Sequence, residues 1–162
     1  MQVRLGSDGE LLLKAPNLMR GYHRSAQRGF DAEGWFHTGD LAVLHADGFY
    51  EIVGRSKELI ISGGENIHPA EIEQLVAGLP GVAACAVVGL PDARWGEVPV
   101  LALVRAPGPA GQALSEAGVR AALEPRLARF KWPRRIVFLP ELPTTALGKV
   151  ARAALRARLD AA

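Results

Sequence analysis

Two short segments of the sequence contain residue types that could take part in chemistry. Gly63 and Gly64, in SGGENIHP, leave bare backbone between an apolar run and Pro69, a residue favoured at a first helical position. Such backbone either forms a tight turn or lets a ligand lie against it, because a glycine has no Cβ to obstruct the approach. Lys149 follows Gly148 in TTALGKVAR, and its ammonium could stabilise negative charge that develops in a reaction. Taken alone, these patterns equally indicate a plain turn and a solvent-facing loop lysine.

A third segment, RFKWPRR, combines aromatic rings with positive charge. Phe130 and Trp132 lie among four cations, which are Arg129, Lys131, Arg134 and Arg135. Residues 114–162 carry 10 Lys or Arg and 4 Asp or Glu, whereas residues 1–113 carry 9 and 13. Such a basic region indicates a polyanionic partner, and phosphates are the commonest kind. The charge alone leaves a nucleotide, a nucleic acid and plain solvation open.

Composition narrows the class of protein. With 162 residues, 49% of them hydrophobic and 22% charged, the chain resembles a globular domain that can bury a core. No run approaches the ~18 apolar residues of a membrane span, and the amino-terminal segment has no signal-peptide core. Cys85 is the single cysteine, which excludes an internal disulfide; we expect a buried thiol and a cytoplasmic protein. The four histidines lack metal-ligand spacing, so no protein metal site is predicted.

The elements that would position these segments fall into two parts. Residues 1–56 are predicted to form short strands and turns, with a hairpin of Leu41–His45 and Phe49–Val53 around ADG. Residues 57–162 are predicted to form an α+β domain, a small mixed sheet packed with helices. The first part would then be a β-rich remnant that precedes a complete small domain.

Hydrophobic spacing predicts the elements of the second part. The strands are Leu59–Ile61, Val82–Gly89, Val98–Val104 and the segment RIVFL. The middle two contain so few polar residues that both faces of the sheet should be covered. The helices run from Pro69 to near Gly81, from the cap Ser115 to about Ala128, and over ARAALRARL. The segment RAPGPAGQA is predicted to be a loop.

Four segments occur in an order that resembles a known family: GWFHTGD, GRSKELIISGGENIHPAEIE, PDARWGE and LPTTALGKVAR. They resemble the carboxyl-terminal part of adenylate-forming enzymes, in particular aryl-CoA ligases of the 4-chlorobenzoate type and fatty-acyl-CoA ligases. The resemblance implies that ATP, with Mg²⁺ carried in on it, activates a carboxylate to an acyl adenylate. A thiol, usually that of CoA, then displaces AMP; the segments favour CoA but leave the thiol of a carrier protein open. The family's phosphate loop and acyl pocket lie upstream of the matching part. The resemblance therefore implies a fragment that is inactive without a large amino-terminal domain.

The resemblance assigns nucleotide and hinge roles. Asp40, in HTGD, matches an aspartate that accepts hydrogen bonds from the ribose hydroxyls, a task that suits an acceptor-only carboxylate. Arg55 matches an arginine at the same ribose, although alone it would indicate a surface ion pair, for instance with Glu58. Lys57 matches the hinge at which the small domain turns between two poses. Lys149 matches the catalytic lysine that bridges the substrate carboxylate and the α-phosphate.

The resemblance also implies a CoA site on the second part. Its residues are Gly63, Gly64, Glu65, Trp95, Phe130, Trp132 and Arg134. The two glycines would line the passage for the pantetheine arm, Glu65 would approach its thiol end, and Trp95 would pack along CoA. Phe130 would lie beside the adenine and Arg134 near the phosphates. Trp132 departs from the aryl-CoA ligases, which have an arginine there, so a ring that could stack replaces one phosphate contact.

Two other classes of function compete with this interpretation. A small α+β module without catalytic activity could hold CoA or another protein. Nucleic-acid binding has only the pI of about 9.0 in its favour, since no groove-reading motif is present. The acyl substrate and the oligomeric state cannot be inferred from these segments.

Overall fold

The structure is a computed structural model that describes residues 1–21 and 29–161. His23, one of the four histidines, lies outside the described residues. The chain divides into two compact units: unit 1 is Met1–Lys57 and unit 2 is Glu58–Ala162.

Over its described residues, unit 1 is a four-stranded antiparallel sheet in which each strand pairs with the next along the chain. The strands are β1 Gln2–Leu5, β2 Glu10–Lys14, β3 Phe36–Leu44 and β4 Tyr50–Arg55. The hairpin predicted around ADG is confirmed, but β3 starts earlier and β4 ends later than predicted. The additional part of β3 pairs irregularly with β2 between Glu10 and Leu12. A strand with such a bulge need not alternate strictly between apolar and polar residues, so its first residues could not be identified as a strand from the sequence.

In the described residues, unit 2 combines a five-stranded mixed sheet with four helices, which confirms the predicted α+β class. The strands are β5 Ile60–Ser62, β6 Glu65–Ile67, β7 Val82–Asp92, β8 Gly96–Arg105 and β9 Arg135–Leu139. The helices are α1 Pro69–Ala77, α2 Pro109–Ala113, α3 Glu116–Leu123 and α4 Arg152–Asp160. The strand order is β6-β5-β8-β7, and β9 pairs in parallel with β8. No helix of the described chain has both the length and the apolar composition needed to cross a membrane.

Both faces of the unit 2 sheet are covered, as the apolar sequences of β7 and β8 predicted. On β8, Leu101 and Leu103 belong to a first core with residues of α1 and α3. Val100 and Ala102, which alternate with them, belong to a second core with residues of α4. Because successive residues of a strand point to opposite faces, the two cores lie on opposite sides of the sheet.

Two connections in unit 2 differ from the prediction. Gly63 and Gly64 join β5 to β6, whereas the sequence predicted that they lead directly into a helix. Strand β6 is short and partly polar, so it carries no clear strand signal. The segment RAPGPAGQA, predicted to be a loop, contains the short helix α2. The glycines are therefore the turn of a β-hairpin.

The ends of two helices also differ from the prediction. Helix α1 begins at Pro69 as expected but ends at Ala77, before the predicted end near Gly81. The cap of α3 is confirmed, since Ser115 Oγ accepts a hydrogen bond from a backbone N–H of the first turn. However, α3 ends at Leu123 and does not reach Ala128, because Pro125 has no N–H to continue the helical hydrogen bonds.

The single cysteine is only partly buried, contrary to the expectation of a buried thiol. Cys85 Sγ lies 3.5 Å from the carbonyl oxygen of Glu73 on α1. Partial burial, reinforced by the Glu73 carboxylate, raises the pKa of the Cys85 thiol to about 11. The thiol is therefore protonated and weakly nucleophilic at neutral pH.

Candidate functional site

The Gly63–Gly64 turn is packed against an indole ring. Both glycines have positive φ angles, +61° and +89°, as a two-residue hairpin turn requires. The Gly63 N–H donates to the Trp95 carbonyl oxygen at 2.8 Å. A Cβ at Gly63 would lie 2.6 Å from Trp95 Cε3, whereas a Cβ at Gly64 would meet no atom within 4 Å. Any side chain at Gly63 would therefore displace Trp95 before it reached a ligand, and this packing requirement could not be read from the sequence around Gly63.

A tight turn before β8 holds Trp95 in that position. Asp92 Oδ1 accepts hydrogen bonds from the N–H groups of Arg94, at 2.8 Å, and of Trp95, at 2.9 Å. These bonds, with the one from Trp95 the largest cause, lower the pKa of the Asp92 carboxyl below its ordinary 3.8. The Arg94 guanidinium carbon lies 4.8 Å from the centre of the Trp95 ring. The indole is thus fixed between the backbone of Gly63 and a cation.

A groove of about 360 Å³ opens beside this indole on unit 2. Six of the seven residues assigned to CoA line it: Gly63, Glu65, Trp95, Phe130, Trp132 and Arg134. The seventh, Gly64, does not line it. The groove therefore brings together three segments that are far apart in the sequence.

Of the four cations in the segment RFKWPRR, two line the groove and are free to bind an anion there, and two contact other parts of the protein. Lys131 Nζ forms an ion pair with Glu71 of α1 at 2.7 Å, so Glu71 neutralises it. Arg135 Nη1 donates to a carbonyl oxygen of α4. Arg129 and Arg134 line the groove and form no ion pair within the described residues. Lys131 therefore has a carboxylate partner within the protein, whereas the charges of Arg129 and Arg134 remain available at the groove.

The two aromatic rings of this segment differ in their attachment. Trp132 packs against the first core, and its indole Nε1 donates to the Leu127 carbonyl oxygen at 2.9 Å. Phe130 is 49% exposed and presents a ring to solvent at the groove. Phe130 can accept a flat ligand by stacking, whereas Trp132 forms a fixed wall.

In unit 1, the two predicted nucleotide ligands lie opposite each other. Asp40 on β3 pairs in register with Arg55 on β4, and Arg55 Nε lies 2.6 Å from Asp40 Oδ1. Arg55 thus forms the surface ion pair that its sequence context alone indicates, but its partner is Asp40, while Glu58 pairs with Arg152. The carboxylate and the guanidinium form one polar pair that a ligand hydroxyl could join.

Lys149 lies on an exposed loop between β9 and α4. The loop is closed by its own contacts: the Thr145 N–H donates to the Lys149 carbonyl oxygen at 2.7 Å, and the Gly148 N–H donates to the Thr145 carbonyl oxygen at 2.9 Å. Gly148 has a φ of +76°. Among the described residues, no carboxylate forms an ion pair with the Lys149 ammonium. Lys57, the predicted hinge, is likewise exposed and is the last residue of unit 1.

An arginine that the sequence analysis missed connects this loop to the start of unit 2. Arg152, three residues after Lys149, contacts Glu73 through Nη1 at 2.7 Å and through Nη2 at 3.0 Å. Its Nε lies 2.9 Å from Glu58, the residue after Lys57. The Glu73 hydrogen bond is the largest cause of a raised Arg152 pKa. No local pattern could reveal these pairs, since their partners are far apart in the sequence.

The described residues contain no group of three or more His, Cys, Asp or Glu side chains arranged to hold a metal ion. His68, which precedes α1, has a buried Nδ1 without a hydrogen-bond partner in the described chain. Burial lowers the pKa of His68, so its ring is neutral at pH 7.

Comparison with known sequences identifies relatives of this arrangement. The family described as AMP-binding enzyme C-terminal domain matches residues 71–149. A feruloyl-CoA synthase from Amycolatopsis sp is 43% identical over 155 residues, which cover 94% of this chain and 31% of that protein. An indoleacetate–CoA ligase from Aromatoleum aromaticum is 47% identical over 150 residues, which cover 91% of this chain and 29% of that protein. The chain thus spans less than a third of the length of these two relatives.

Solved structures match over nearly the whole chain. The o-succinylbenzoate CoA synthetase of Bacillus subtilis, in complex with the acyl-adenylate intermediate OSB-AMP, has a TM-score of 0.85 at 36% identity over 96% of this chain and 33% of its own. The same synthetase in complex with ATP and magnesium ion has a TM-score of 0.84 at 34% identity over 95% and 33%. The chain therefore belongs to the adenylate-forming enzymes and matches the carboxyl-terminal portion of their acyl- and aryl-CoA ligases.

Proposed function

We propose that this chain works as the carboxyl-terminal part of an AMP-forming acid–CoA ligase, in which unit 2 presents Lys149 and the CoA groove in turn to one reaction centre. The groove carries the proposal. Six residues assigned to CoA by resemblance line one cavity, although they come from three separate segments. Lys149 is exposed and forms no ion pair among the described residues, and its match to the catalytic lysine of the family favours an enzyme over a non-catalytic module.

In the first half-reaction, a carboxylate oxygen attacks the α-phosphorus of ATP, and the bond to pyrophosphate breaks. Lys149 stabilises the negative charge that builds between the two anions. Asp40 and Arg55 hold the ribose, with the carboxylate accepting hydrogen bonds from its hydroxyls. Mg²⁺ would be carried in with ATP and would neutralise part of the phosphate charge, and no residue of this chain is proposed to hold it.

In the second half-reaction, the sulfur of CoA attacks the carbonyl carbon of the acyl adenylate. The bond from that carbon to the AMP oxygen breaks, AMP leaves with the electron pair, and the thiol proton passes to solvent. Phe130 stacks on the adenine, and Arg129 and Arg134 contact phosphates. Trp95, seated on Gly63, forms a wall of the passage for the pantetheine arm.

Lys57 is the proposed hinge between the two half-reactions. It is exposed and lies at the boundary of the units, where a few residues can absorb a change of φ and ψ. The groove and the Lys149 loop are attached to different cores of unit 2, which supports a rotation of unit 2 that presents them in turn. Trp132 packs on the first core and Val150, next to Lys149, packs on the second, so the anchors lie on opposite faces of one sheet.

The proposed activity also needs parts that these 162 residues do not contain. The family's phosphate loop and acyl pocket are absent from this sequence, so the chain requires a large amino-terminal domain that supplies them. A carboxylic acid and CoA are the proposed substrates, and the cytoplasm, which holds ATP and CoA, is the proposed location.

Carboxylate-dependent exchange of pyrophosphate into ATP tests this function. The chain is assayed alone and fused to the amino-terminal domain of the indoleacetate–CoA ligase, with indoleacetate as the acid. We expect no exchange by the chain alone, exchange by the fusion, and thioester when CoA is added. A folded fusion without exchange would contradict the proposal. If the chain alone then still bound CoA, a non-catalytic binding module would be the better account.

A further inference from the structure

The backbone next to Asp40 is held by a carboxylate from the neighbouring strand. Glu10 on β2 accepts a hydrogen bond from the Gly39 N–H through Oε1, at 2.7 Å. Its second oxygen, Oε2, lies 2.7 Å from His37 Nδ1. The Glu10 side chain is only 13% exposed, so little water competes for these contacts. Neither composition nor resemblance assigned a role to Glu10.

Other side chains complete the support of the same two residues. Thr38 Oγ1 accepts a hydrogen bond from the Asp40 N–H at 3.0 Å. Ser56 Oγ donates to the Gly39 carbonyl oxygen at 3.3 Å. Gly39 has a φ of +73°, at a point where β2 and β3 pair irregularly. Pairing with β4 holds Asp40 on one side, but regular pairing with β2 is interrupted on the other side, where the Glu10 side chain supplies the hydrogen bond to Gly39.

We propose that Glu10 is a positioning residue for Asp40. It fixes the Gly39 peptide and thereby aims the Asp40 carboxylate at the ribose of the nucleotide. This inference rests on the proposed function, which supplies the ribose contact of Asp40.

The ion pair of Asp40 with Arg55 constrains the Asp40 carboxylate less firmly than Glu10 constrains the Gly39 peptide. Arg55 lies 2.6 Å from Asp40, but its own side chain is 60% exposed. Long, solvated side chains hold a geometry poorly because they keep much of their freedom. A charge-assisted hydrogen bond between a nearly buried carboxylate and a backbone N–H fixes a position more firmly.

Amide hydrogen exchange on the chain itself tests the contact. Glu10→Ala should speed exchange of the Gly39 N–H by roughly 10- to 100-fold, the range expected for loss of a hydrogen bond to a charged group. Glu10→Gln keeps an acceptor oxygen and should retain most of the protection. Glu51→Ala is the matched control, because Glu51 on β4 also pairs with a histidine, His45 in the turn after β3, at 2.8 Å. Unchanged exchange in Glu10→Ala would overturn the inference.

Nucleotide analogues test the positioning role in the active fusion. For Glu10→Ala we expect the KM for ATP to rise roughly 10-fold, which corresponds to about 1.4 kcal/mol. The KM for 2′,3′-dideoxy-ATP should stay as in the unsubstituted fusion, because this analogue has no ribose hydroxyls for Asp40 to bind. Glu10→Gln should restore the preference for ATP. An equal rise for both nucleotides would indicate a merely structural role and contradict the proposal.

The two proposals fail in different ways. If the unsubstituted fusion activates no carboxylate, or does not distinguish ATP from the dideoxy analogue, the proposed nucleotide role of Asp40 is wrong, and the positioning role falls with it. If the unsubstituted fusion distinguishes the two nucleotides and Glu10→Ala does so equally well, only the inference about Glu10 is wrong.

Discussion

The groove and the Lys149 loop lie on the same unit but are built in opposite ways. The groove is formed by side chains that neighbouring elements fix in place: Trp95 on Gly63 and Trp132 on the first core. The Lys149 loop is held mainly by hydrogen bonds of its own backbone, and Leu147 at its tip is 87% exposed. A binding site for a large ligand gains from walls that already exist before the ligand arrives. A single ammonium that must enter and leave a reaction centre gains from the lack of competing contacts.

The largest expected effect concerns the loop. In the fusion, Lys149→Ala should lower the rate of pyrophosphate exchange roughly 100- to 1000-fold, the range seen when one group that stabilises developing charge is removed. The matched control is Arg158→Ala, which removes an exposed cation of α4 that has no proposed role and should leave pyrophosphate exchange unchanged. Exchange at the normal rate in Lys149→Ala would show that the exposed loop has no catalytic role.

The second prediction compares the loss of unfolding free energy when a leucine is truncated in the first core, which supports the groove, and at the tip of the Lys149 loop. Leu101 is fully buried in the first core, so Leu101→Ala should lower the free energy of unfolding by about 2–5 kcal/mol. Leu147→Ala should change it by less than about 0.5 kcal/mol. Urea unfolding of the chain measures both. Equal losses would show that the loop is packed as firmly as the first core, on which Trp132 of the groove rests.

The third prediction concerns the groove wall. Gly63→Ala should displace Trp95 and raise the KM for CoA roughly 10-fold, because the new Cβ would lie 2.6 Å from the ring. Gly64→Ala has similar backbone strain, since its φ is +89°, but meets no neighbouring atom and should have the smaller effect. If the KM for CoA rose equally in both variants, the effect would come from backbone strain alone, and the contact of Gly63 with Trp95 would not matter for CoA binding.

The smallest effect is a pH dependence of the turn that holds Trp95. The folded pKa of Asp92 is lowered, so its stabilising contribution is complete above its ordinary pKa of 3.8 and is lost as the pH falls through the lowered value. We expect the amide resonance of Trp95 to shift in that acid range. Asp92→Asn should remove the shift, and a midpoint above pH 3.8 would contradict the assignment.

The sequence predicted those elements whose formation depends on interactions between residues close together in the chain. The apolar spacing after Pro69 predicted α1, Ser115 predicted a helix cap, and the apolar runs of β7 and β8 predicted a sheet covered on both faces. The strand β6 was missed because Glu65–Ile67 is short and carries two polar residues, so only its pairing with β5 identifies it.

The contacts within the site were less accessible from the sequence. The ion pair of Lys131 with Glu71 joins residues 60 positions apart, and that of Arg152 with Glu73 joins residues 79 apart. The hydrogen bond from Gly39 to Glu10 depends on an irregular strand register. Tertiary contacts of this kind leave no periodic signal. The resemblance named the residues of the groove, but their roles stay predictions.

Transfer of a preformed acyl adenylate to CoA, in a single turnover, tests most directly whether the lysine loop and the groove serve different half-reactions. For Lys149→Ala in the fusion we predict thioester formation at nearly the unsubstituted rate. For Phe130→Ala we predict slower thioester formation at low CoA concentration, with normal pyrophosphate exchange. If Lys149→Ala lost both half-reactions equally, or Phe130→Ala slowed exchange as much as transfer, the division of labour between the two regions would be wrong.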